Sequence, residues 1–138
     1  MTDSDITDFV ARFAAAWSTR DGRRFLDLWH EDGLLHSPLY DRAISGREFQ
    51  ELTDMIVKFA PDQVWQLLDW TWRPTPRGAV VVIEWQSTRV VEGARFDWRG
   101  VDKIMLVDGK IAEEIVYFDS APLRARRSGE KLEALVKF

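Results

Sequence analysis

Residues 95–119 read RFDWRGVDKIMLVDGKIAEEIVYFD and predict two long β-strands joined by a tight turn. Asp108 and Gly109, between two apolar segments, form a sequence typical of a hairpin turn. The odd-numbered residues at the start of the first strand are charged: Arg95, Asp97 and Arg99. The even-numbered residues are mostly apolar: Phe96, Trp98, Gly100, Asp102, Ile104 and Leu106. Because successive side chains in a strand point to opposite faces, the even-numbered set should face the interior.

Asp102 is the one carboxylate on this predicted inward face. Loss of hydration favours the protonated form of a carboxyl group, so its pKa rises and it becomes a candidate proton donor or base. A β-bulge at Gly100 would instead reverse the alternation and place Asp102 in solvent, beside Arg99 or Lys103. The sequence predicts a pocket containing an acid and leaves this second arrangement open.

The register of the hairpin decides whether Asp102 has a second acid beside it. A three-residue bulged loop would place Glu114 opposite Asp102, whereas a two-residue turn would place Ile115 there. An Asp102–Glu114 pair would share a proton and titrate in two steps. The other outcome is a solvent-facing Glu114.

The residues before the hairpin show helical periodicity and then strand periodicity. Three helices are predicted: residues 6–17, a short segment after Gly22, and residues 47–60. Three further strands are predicted: residues 34–37, 63–73 and 79–90. Both faces of the 79–90 strand carry apolar residues, so its inward face stays open. Helices followed by long antiparallel strands indicate an α+β fold in which helices cover one face of a curved sheet.

The composition is that of an ordinary globular domain. The chain has 138 residues, 46% hydrophobic and 30% charged, which suits one domain with a sizeable core. A net charge of −4 disfavours binding to nucleic acid. The absence of cysteine excludes disulfides, thiolate nucleophiles and zinc–thiolate sites. The acidic first residues do not resemble a secretory signal and no apolar run approaches a membrane span, so we expect a cytoplasmic protein.

Seven Trp and eight Phe are many for a chain of this length. They suggest an aromatic core, an aromatic-lined cavity for a hydrophobic small molecule, or a buried dimer face. Aromatic residues at helical or strand spacing are usually core residues. Four are nevertheless candidates for contact with a bound molecule: Phe13, Trp17, Trp98 and Phe118.

Neither a metal nor a nucleotide cofactor is predicted. The two histidines, His30 and His36, lack carboxylates at the spacing typical of metal ligands. The sequence also lacks a Gly-rich phosphate loop and a serine nucleophile motif.

Four segments occur in a characteristic order: WHEDG (29–33), LLHSP (34–38), SGREF (45–49) and VDGKIAEEIVYFD (107–119). Together they resemble the nuclear transport factor 2-like superfamily, most closely its SnoaL-like branch, which includes relatives of ketosteroid isomerase. The resemblance covers about residues 6–120. It implies one SnoaL-like domain over residues 1–138, with a C-terminal helical tail at about 122–138.

The resemblance also implies the architecture of that superfamily. This is a cystatin-like α+β barrel, in which a cone-shaped, curved antiparallel or mixed β-sheet wraps around N-terminal helices. Members commonly form homodimers through the outer face of the sheet, and the surplus of tryptophan is consistent with such an interface.

Individual residues inherit expected roles from the resemblance. Asp102 matches the acid with which ketosteroid isomerase-like proteins hydrogen-bond a developing oxyanion, and an acid of this region acts as base in SnoaL-like cyclases. The isomerase-like enzymes carry a catalytic aspartate before the proline of the first strand, where this chain has Ser37. His36 beside it becomes the candidate base if it faces inward. Phe13 replaces a tyrosine of the isomerase oxyanion hole, which argues against steroid isomerase activity.

Tyr40 lies in a loop at the expected mouth of the cone, where its phenol could donate to a substrate oxygen or serve as a lid. Two functions compete. The first is a cofactor-independent isomerase, cyclase or hydrolase that uses Asp102, with His36, for proton transfer on a hydrophobic carbonyl compound such as a polyketide or terpenoid. The second is a non-catalytic ligand-binding or dimeric accessory protein. Convergence of Asp102, His36 and Tyr40 would favour the first.

Overall fold

A computed structural model describes residues 1–91 and 93–132 of the chain. The α-helices in this part are α1 (Asp3–Thr19), α2 (Gly22–Leu28), α3 (Phe49–Phe59) and α4 (Ala121–Ser128). Its strands are β1 (Trp29–His36), β2 (Ile44–Ser45), β3 (Val64–Thr75), β4 (Gly78–Val91), β5 (Ala94–Val107) and β6 (Lys110–Tyr117). A 3-10 turn at Gly46–Glu48 leads into α3. The predicted order of helices and strands is confirmed, with the short β2 as an addition.

The strands form one six-stranded sheet in the order β2-β1-β6-β5-β4-β3. β1 and β6 run parallel, whereas the other neighbours are antiparallel. The sheet is mixed, which is one of the two predicted forms. It is open, with β2 and β3 at its edges, and does not close into a barrel. The predicted α+β class with N-terminal helices is confirmed.

One face of the sheet packs against the N-terminal helices. α1 contributes a stripe of buried side chains at helical spacing: Ile6, Phe9, Val10, Phe13 and Ala16. β4 contributes Val81, Ile83 and Trp85 to the same core, so these odd-numbered residues form its inward face. Burying side chains of this size contributes about 1.5–3 kcal/mol each. A polar group on this face of the sheet is therefore removed from water.

Both ends of α1 are fixed by hydrogen bonds. At the start, the Thr2 hydroxyl accepts from the Asp5 N–H at 3.3 Å, and the Asp5 carboxylate accepts from the Thr2 N–H at 2.7 Å. At the end, Arg20 adopts a left-handed conformation with φ 54°. Its guanidinium donates to the carbonyl oxygens of Ala60 and Pro61 at 2.8 and 3.0 Å. These contacts join the end of α1 to the end of α3.

The β5–β6 hairpin has a two-residue turn. Val107 pairs with Lys110, and the turn residues Asp108 and Gly109 have φ values of 50° and 81°. Positive φ at both positions is the requirement of a type I′ turn, which matches the twist of the flanking strands. The turn predicted from Asp108 and Gly109 is confirmed in its two-residue form.

A β-bulge follows this turn and changes the register of the hairpin. Leu106 pairs with Ile111, whereas the next pair along is Met105 with Glu113. Ala112 is the extra residue between them. A one-residue insertion reverses which side chains of β6 face inward, so the bulge decides the composition of the interior near Asp102.

The C-terminal helix is shorter than predicted. α4 ends at Ser128 because Gly129 adopts the left-handed conformation, with φ 74°. Leu132, which the sequence pattern places on the same helix, lies outside it and is exposed. Residues 133–138, which include the rest of the predicted tail, lie outside the described residues. In the part of the chain that the structure describes, no helix is both long and apolar enough to cross a membrane.

Candidate active site

Asp102 lies in the middle of β5 on the face that packs against the helices. It is 2% exposed, and its Oδ1 accepts a hydrogen bond from Trp85 Nε1 at 2.7 Å. The β4–β5 pairing runs from Gly78 to Val91 with no shift of register, so there is no bulge at Gly100. The alternative that placed Asp102 in solvent is therefore wrong, and alternation along the strand holds throughout.

Gly100 does not form a bulge but makes room for the side chain of Trp85. It pairs directly with Trp85 of β4, and a Cβ atom at position 100 would lie 2.3 Å from the indole Cζ2. Glycine leaves the space in which the indole lies across the sheet surface. The indole N–H consequently reaches Asp102, which is two residues along β5 from Gly100.

Glu114 lies on the same face as Asp102. The bulge in β6 places Val116 opposite Asp102 and Glu114 opposite Ile104. Glu114 is therefore the diagonal neighbour of Asp102, a separation that long side chains can span. Its side chain is fully buried, at 0% exposure. The sequence left the position of Glu114 open and allowed the pair through a three-residue loop. In the structure a two-residue turn plus a bulge produces it, and Ile115 faces the other way.

The two carboxyl groups are buried on the same face of the sheet and act on each other's ionisation. No hydroxyl or amide of the described residues donates to either oxygen of Glu114, and the charged group that acts on it is the carboxyl group of Asp102. Two carboxylates without a proton repel each other, so this arrangement requires a proton on one of them. The pair is therefore an acid–carboxylate dyad that holds at least one proton, and the N–H of Trp85 favours the charge on Asp102.

Burial raises the pKa of both acids. The pKa of Asp102 is raised by desolvation, and hydrogen bonds from Trp85 and Glu114 oppose the rise. The pKa of Glu114 is raised well above its ordinary value by desolvation and then by the nearby charge of Asp102. The first proton to leave the dyad therefore comes from Asp102, because hydrogen-bond donors stabilise its charged form. Glu114 keeps its proton to a higher pH.

Tyr40 lies near this pair, in the loop between β1 and β2. It is half-buried against the core, and burial raises the pKa of its phenol to about 12, with a further contribution from Glu114 once that acid is ionised. The phenol therefore stays protonated and can donate a hydrogen bond. The loop is held by the Tyr40 N–H to the Ser37 carbonyl at 3.2 Å and by Arg124 of α4, whose Nη2 donates to the Pro38 carbonyl at 3.0 Å.

His36 lies on the opposite face of the sheet from the dyad. Leu35 is buried and pairs with Glu114, whereas His36 is half-exposed with its Nε2 3.4 Å from Glu113 Oε1. The structure does not bring His36 to Asp102, and the second acid of the site is Glu114. The short strand alone could not show this, since its inward face depends on the parallel pairing of β1 with β6.

The aromatic candidates divide into three groups. Phe118 packs against Trp85, the hydrogen-bond donor of Asp102, with ring centroids 6.0 Å apart. Phe13 and Trp17 belong to the helical side of the core, with ring centroids 6.4 Å apart. Trp98 lies nearer the start of β5 than Asp102, and its ring is 5.7 Å from that of Phe96. Trp85 is a site residue that the sequence alone did not single out, because the inward face of its strand was open and its pairing with Gly100 appears only in the structure.

Other features of the described residues lie away from the dyad. One groove of about 270 Å³ lies between α4 and the start of β5, and another of about 320 Å³ lies between α1 and α2. Neither is lined by Asp102 or Glu114. Residues 1–91 and 93–132 contain no group of three or more His, Asp or Glu that could hold a metal ion.

Comparison with known proteins gives a family and a fold. The model of the SnoaL-like domain family matches residues 10–114. None of the curated proteins matches the chain. A candidate SnoaL-like polyketide cyclase from Jannaschia sp. CCS1 has a similar structure, with 17% identity and a TM-score of 0.73 over 93% of this chain and 94% of that one.

Two further structures widen the range of described functions on this fold. AclR, a candidate hydroxylase from Streptomyces galilaeus, has 19% identity and a TM-score of 0.70 over 97% of this chain and 87% of its own. A candidate calcium/calmodulin-dependent protein kinase II association domain from Xanthomonas campestris has 17% identity and a TM-score of 0.66 over 84% and 86%. At these identities the likeness shows the fold alone, because one fold hosts many functions.

Proposed function

Since the chain belongs to the SnoaL-like domain family, we propose that it binds a hydrophobic carbonyl compound and transfers a proton on it with its own carboxyl groups. The observation that carries the proposal is the buried dyad of Asp102 and Glu114. A charged carboxylate in an apolar interior costs free energy that folding alone does not repay. Strongly raised pKa values of neighbouring acids are typical of active sites.

The proposed reaction is an isomerisation or an aldol-type cyclisation. The carboxylate of Asp102 removes a proton from the carbon next to a substrate carbonyl, and the electrons of the broken C–H bond move onto the carbonyl oxygen. The phenol of Tyr40, which stays protonated, donates a hydrogen bond to that oxygen. In an isomerisation, Asp102 returns the proton to a different carbon of a conjugated enolate. In a cyclisation, the enolate carbon attacks a second carbonyl, and the alkoxide that forms takes the proton from Asp102.

The environment of the dyad supports a hydrophobic substrate. Trp85 borders the acids, Phe118 packs against Trp85, and the nearest helical side chains of the core are apolar. The interior already holds one negative charge on the dyad, which disfavours an anionic substrate. Because Asp102 and Glu114 are 2% and 0% exposed, a substrate reaches them only if the side chains that cover them move.

A non-catalytic function is the second candidate. The same low exposure of the dyad favours it, since a closed interior suits a protein that holds a ligand or associates with a partner without turnover. In that case the polar pair would specify the packing of the sheet rather than react.

Exchange of α-protons distinguishes the two functions. A panel of bicyclic aromatic ketones is incubated in D₂O with the protein, and deuterium incorporation is followed by NMR while binding is followed by dye displacement. Catalysis predicts faster exchange that falls by about 10²-fold or more in Asp102→Asn. Glu113→Gln, a change on the outer face of the same hairpin, should leave exchange unchanged. Binding without exchange would support the second function, and the absence of both binding and exchange would contradict the proposed catalytic function.

A further inference from the structure

Trp85 is held in place from two sides. Its indole lies over Gly100, where an added Cβ would come within 2.3 Å of Cζ2 and 2.8 Å of Cε2. On the other side the ring of Phe118 packs against it at 61°, with centroids 6.0 Å apart. Trp85 is 5% exposed, so its N–H has no water to donate to and is directed at Asp102 Oδ1.

This hydrogen bond makes the dyad asymmetric. Asp102 has an N–H donor at 2.7 Å, whereas no N–H or O–H of the described residues donates to Glu114. The other titratable group that acts on the pair is Tyr40, which lies beside Glu114. The buried faces of α1 and α2 contribute apolar side chains: Ile6, Phe9, Val10, Phe13, Ala16, Phe25 and Leu28. The negative charge is therefore better solvated on Asp102 than on Glu114.

We propose that Trp85 is a positioning residue, which uses the space left by Gly100 to keep the negative charge of the dyad on Asp102 and the proton on Glu114. It acts through Asp102 and does not touch a substrate. Its effect on catalysis rests on the proposed function, because only a reacting dyad needs a defined base. Its effect on proton distribution does not depend on any reaction.

The wild-type protein provides the first test. The indole ¹⁵N–H resonance of Trp85 and the carboxyl ¹³C resonance of Asp102 are followed by NMR over pH 4–9. The proposal predicts that both signals move with the same midpoint, because protonation of Asp102 changes the acceptor of the indole N–H. An indole signal of Trp85 that does not follow the Asp102 titration would overturn the proposal.

Variants provide the second test. Trp85→Phe keeps an aromatic ring and removes the N–H, so the midpoint of Asp102 should rise by about one to two pH units, the effect of losing one hydrogen bond to a charged group. Gly100→Ala displaces the indole of Trp85 and should also raise the midpoint of Asp102. Trp72→Phe is the matched control, because Trp72 Nε1 donates to Asp3 Oδ1 at 3.0 Å, far along the chain from the dyad. An unchanged midpoint in a folded Trp85→Phe would overturn the proposal.

Activity separates this proposal from the proposed function. If ketone exchange occurs, its pH profile should move upward in Trp85→Phe by the same amount as the carboxyl midpoint. If no exchange occurs but the midpoint shifts as predicted, the positioning role stands and the catalytic function fails. If exchange occurs but the midpoint of Asp102 does not shift in Trp85→Phe, the catalytic function stands and the positioning role of Trp85 fails.

Discussion

Two carboxyl groups in one apolar site cannot both ionise without a large free-energy cost, so the fold must accommodate at least one proton. Glu114 has no donor among the described residues, so it is the acid for which the protonated form is favoured. The same arrangement makes the stability of the protein depend on pH. It also explains why the two acids are not interchangeable, since one of them has Trp85 as a donor.

The free energy of unfolding should fall as the pH rises from about 4 to about 7. Burial raises the pKa of Asp102 to about 7, above its value near 4 in an unfolded chain. In this range the folded chain binds more protons than the unfolded chain, so stability decreases with pH. Glu48, with a pKa lowered to about 2 by Arg42 and Ser45, acts in the opposite direction but below this range.

The slope of this decrease tests the dyad. The double variant Asp102→Asn with Glu114→Gln should lose most of it, as measured by urea denaturation at several pH values. Glu113→Gln, which changes a half-exposed acid of the same strand, should keep the wild-type slope. An identical slope in the wild type and the double variant would show that the dyad does not titrate in this range.

Asp102→Asn alone should fold as well as the wild type at neutral pH, or slightly better. The asparagine oxygen can accept from Trp85 and its amide can donate to Glu114, while the buried charge is removed. The free energy of unfolding at pH 7 is therefore expected to be unchanged or higher in urea denaturation. A loss of more than about 2 kcal/mol, the scale of an unsatisfied buried polar group, would contradict this account.

At the scale of elements, the β5–β6 hairpin sets the composition of the site. Alternation along β5 was enough to predict that Asp102 faces inward, because no irregularity interrupts its pairing with β4. The position of Glu114 could not be predicted in the same way. The bulge at Ala112 is not marked by glycine or any other special residue, yet it decides which side of β6 faces inward.

The same limit applies to the first strand. His36 and its neighbours offered two possible faces, and only the parallel pairing with β6 places Leu35 inside. Tertiary contacts of this kind are not encoded in local periodicity. The helices were more predictable, because the apolar stripe of α1 is long, although α1 begins at Asp3, three residues before the predicted start, with Thr2 as its N-cap.

The turn at Asp108 and Gly109 should contribute to the stability of the β5–β6 hairpin. Gly109 has φ 81°, a conformation that side chains with a Cβ adopt at a cost, so Gly109→Ala should lower the free energy of unfolding by about 1–2 kcal/mol. Asp108→Asn is the control, since asparagine tolerates the φ of 50° at that position and only the exposed Arg77 ion pair is lost. Equal stability of Gly109→Ala and the wild type in urea denaturation would contradict the turn assignment.

At the scale of the molecule, the outer face of the sheet carries apolar side chains that the helices do not cover. They include Val82, Met105, Ile115 and Tyr117, of which Met105 and Tyr117 are 40% and 55% exposed. A second copy of the chain on this face stays a prediction, consistent with the dimers of the superfamily and with the apolar content of the face.

Sedimentation equilibrium at micromolar concentration should therefore give the mass of two chains. Met105→Lys places a charge in the centre of the face and should produce monomers. Leu26→Lys, a substitution at an exposed position of α2, should leave the dimer intact. A monomeric wild type would rule out the dimer.

The carboxyl ¹³C titration of Glu114, in the wild type and in Asp102→Asn, decides whether the two acids act as one dyad. If the two acids share a proton, Glu114 titrates well above its ordinary range near 4.3, and the variant lowers its midpoint because the charge of Asp102 is gone. In the wild type, Asp102 should titrate below Glu114 and well above 4. An Asp102 signal that titrates near 4, or a Glu114 midpoint that is the same in both proteins, would contradict the account.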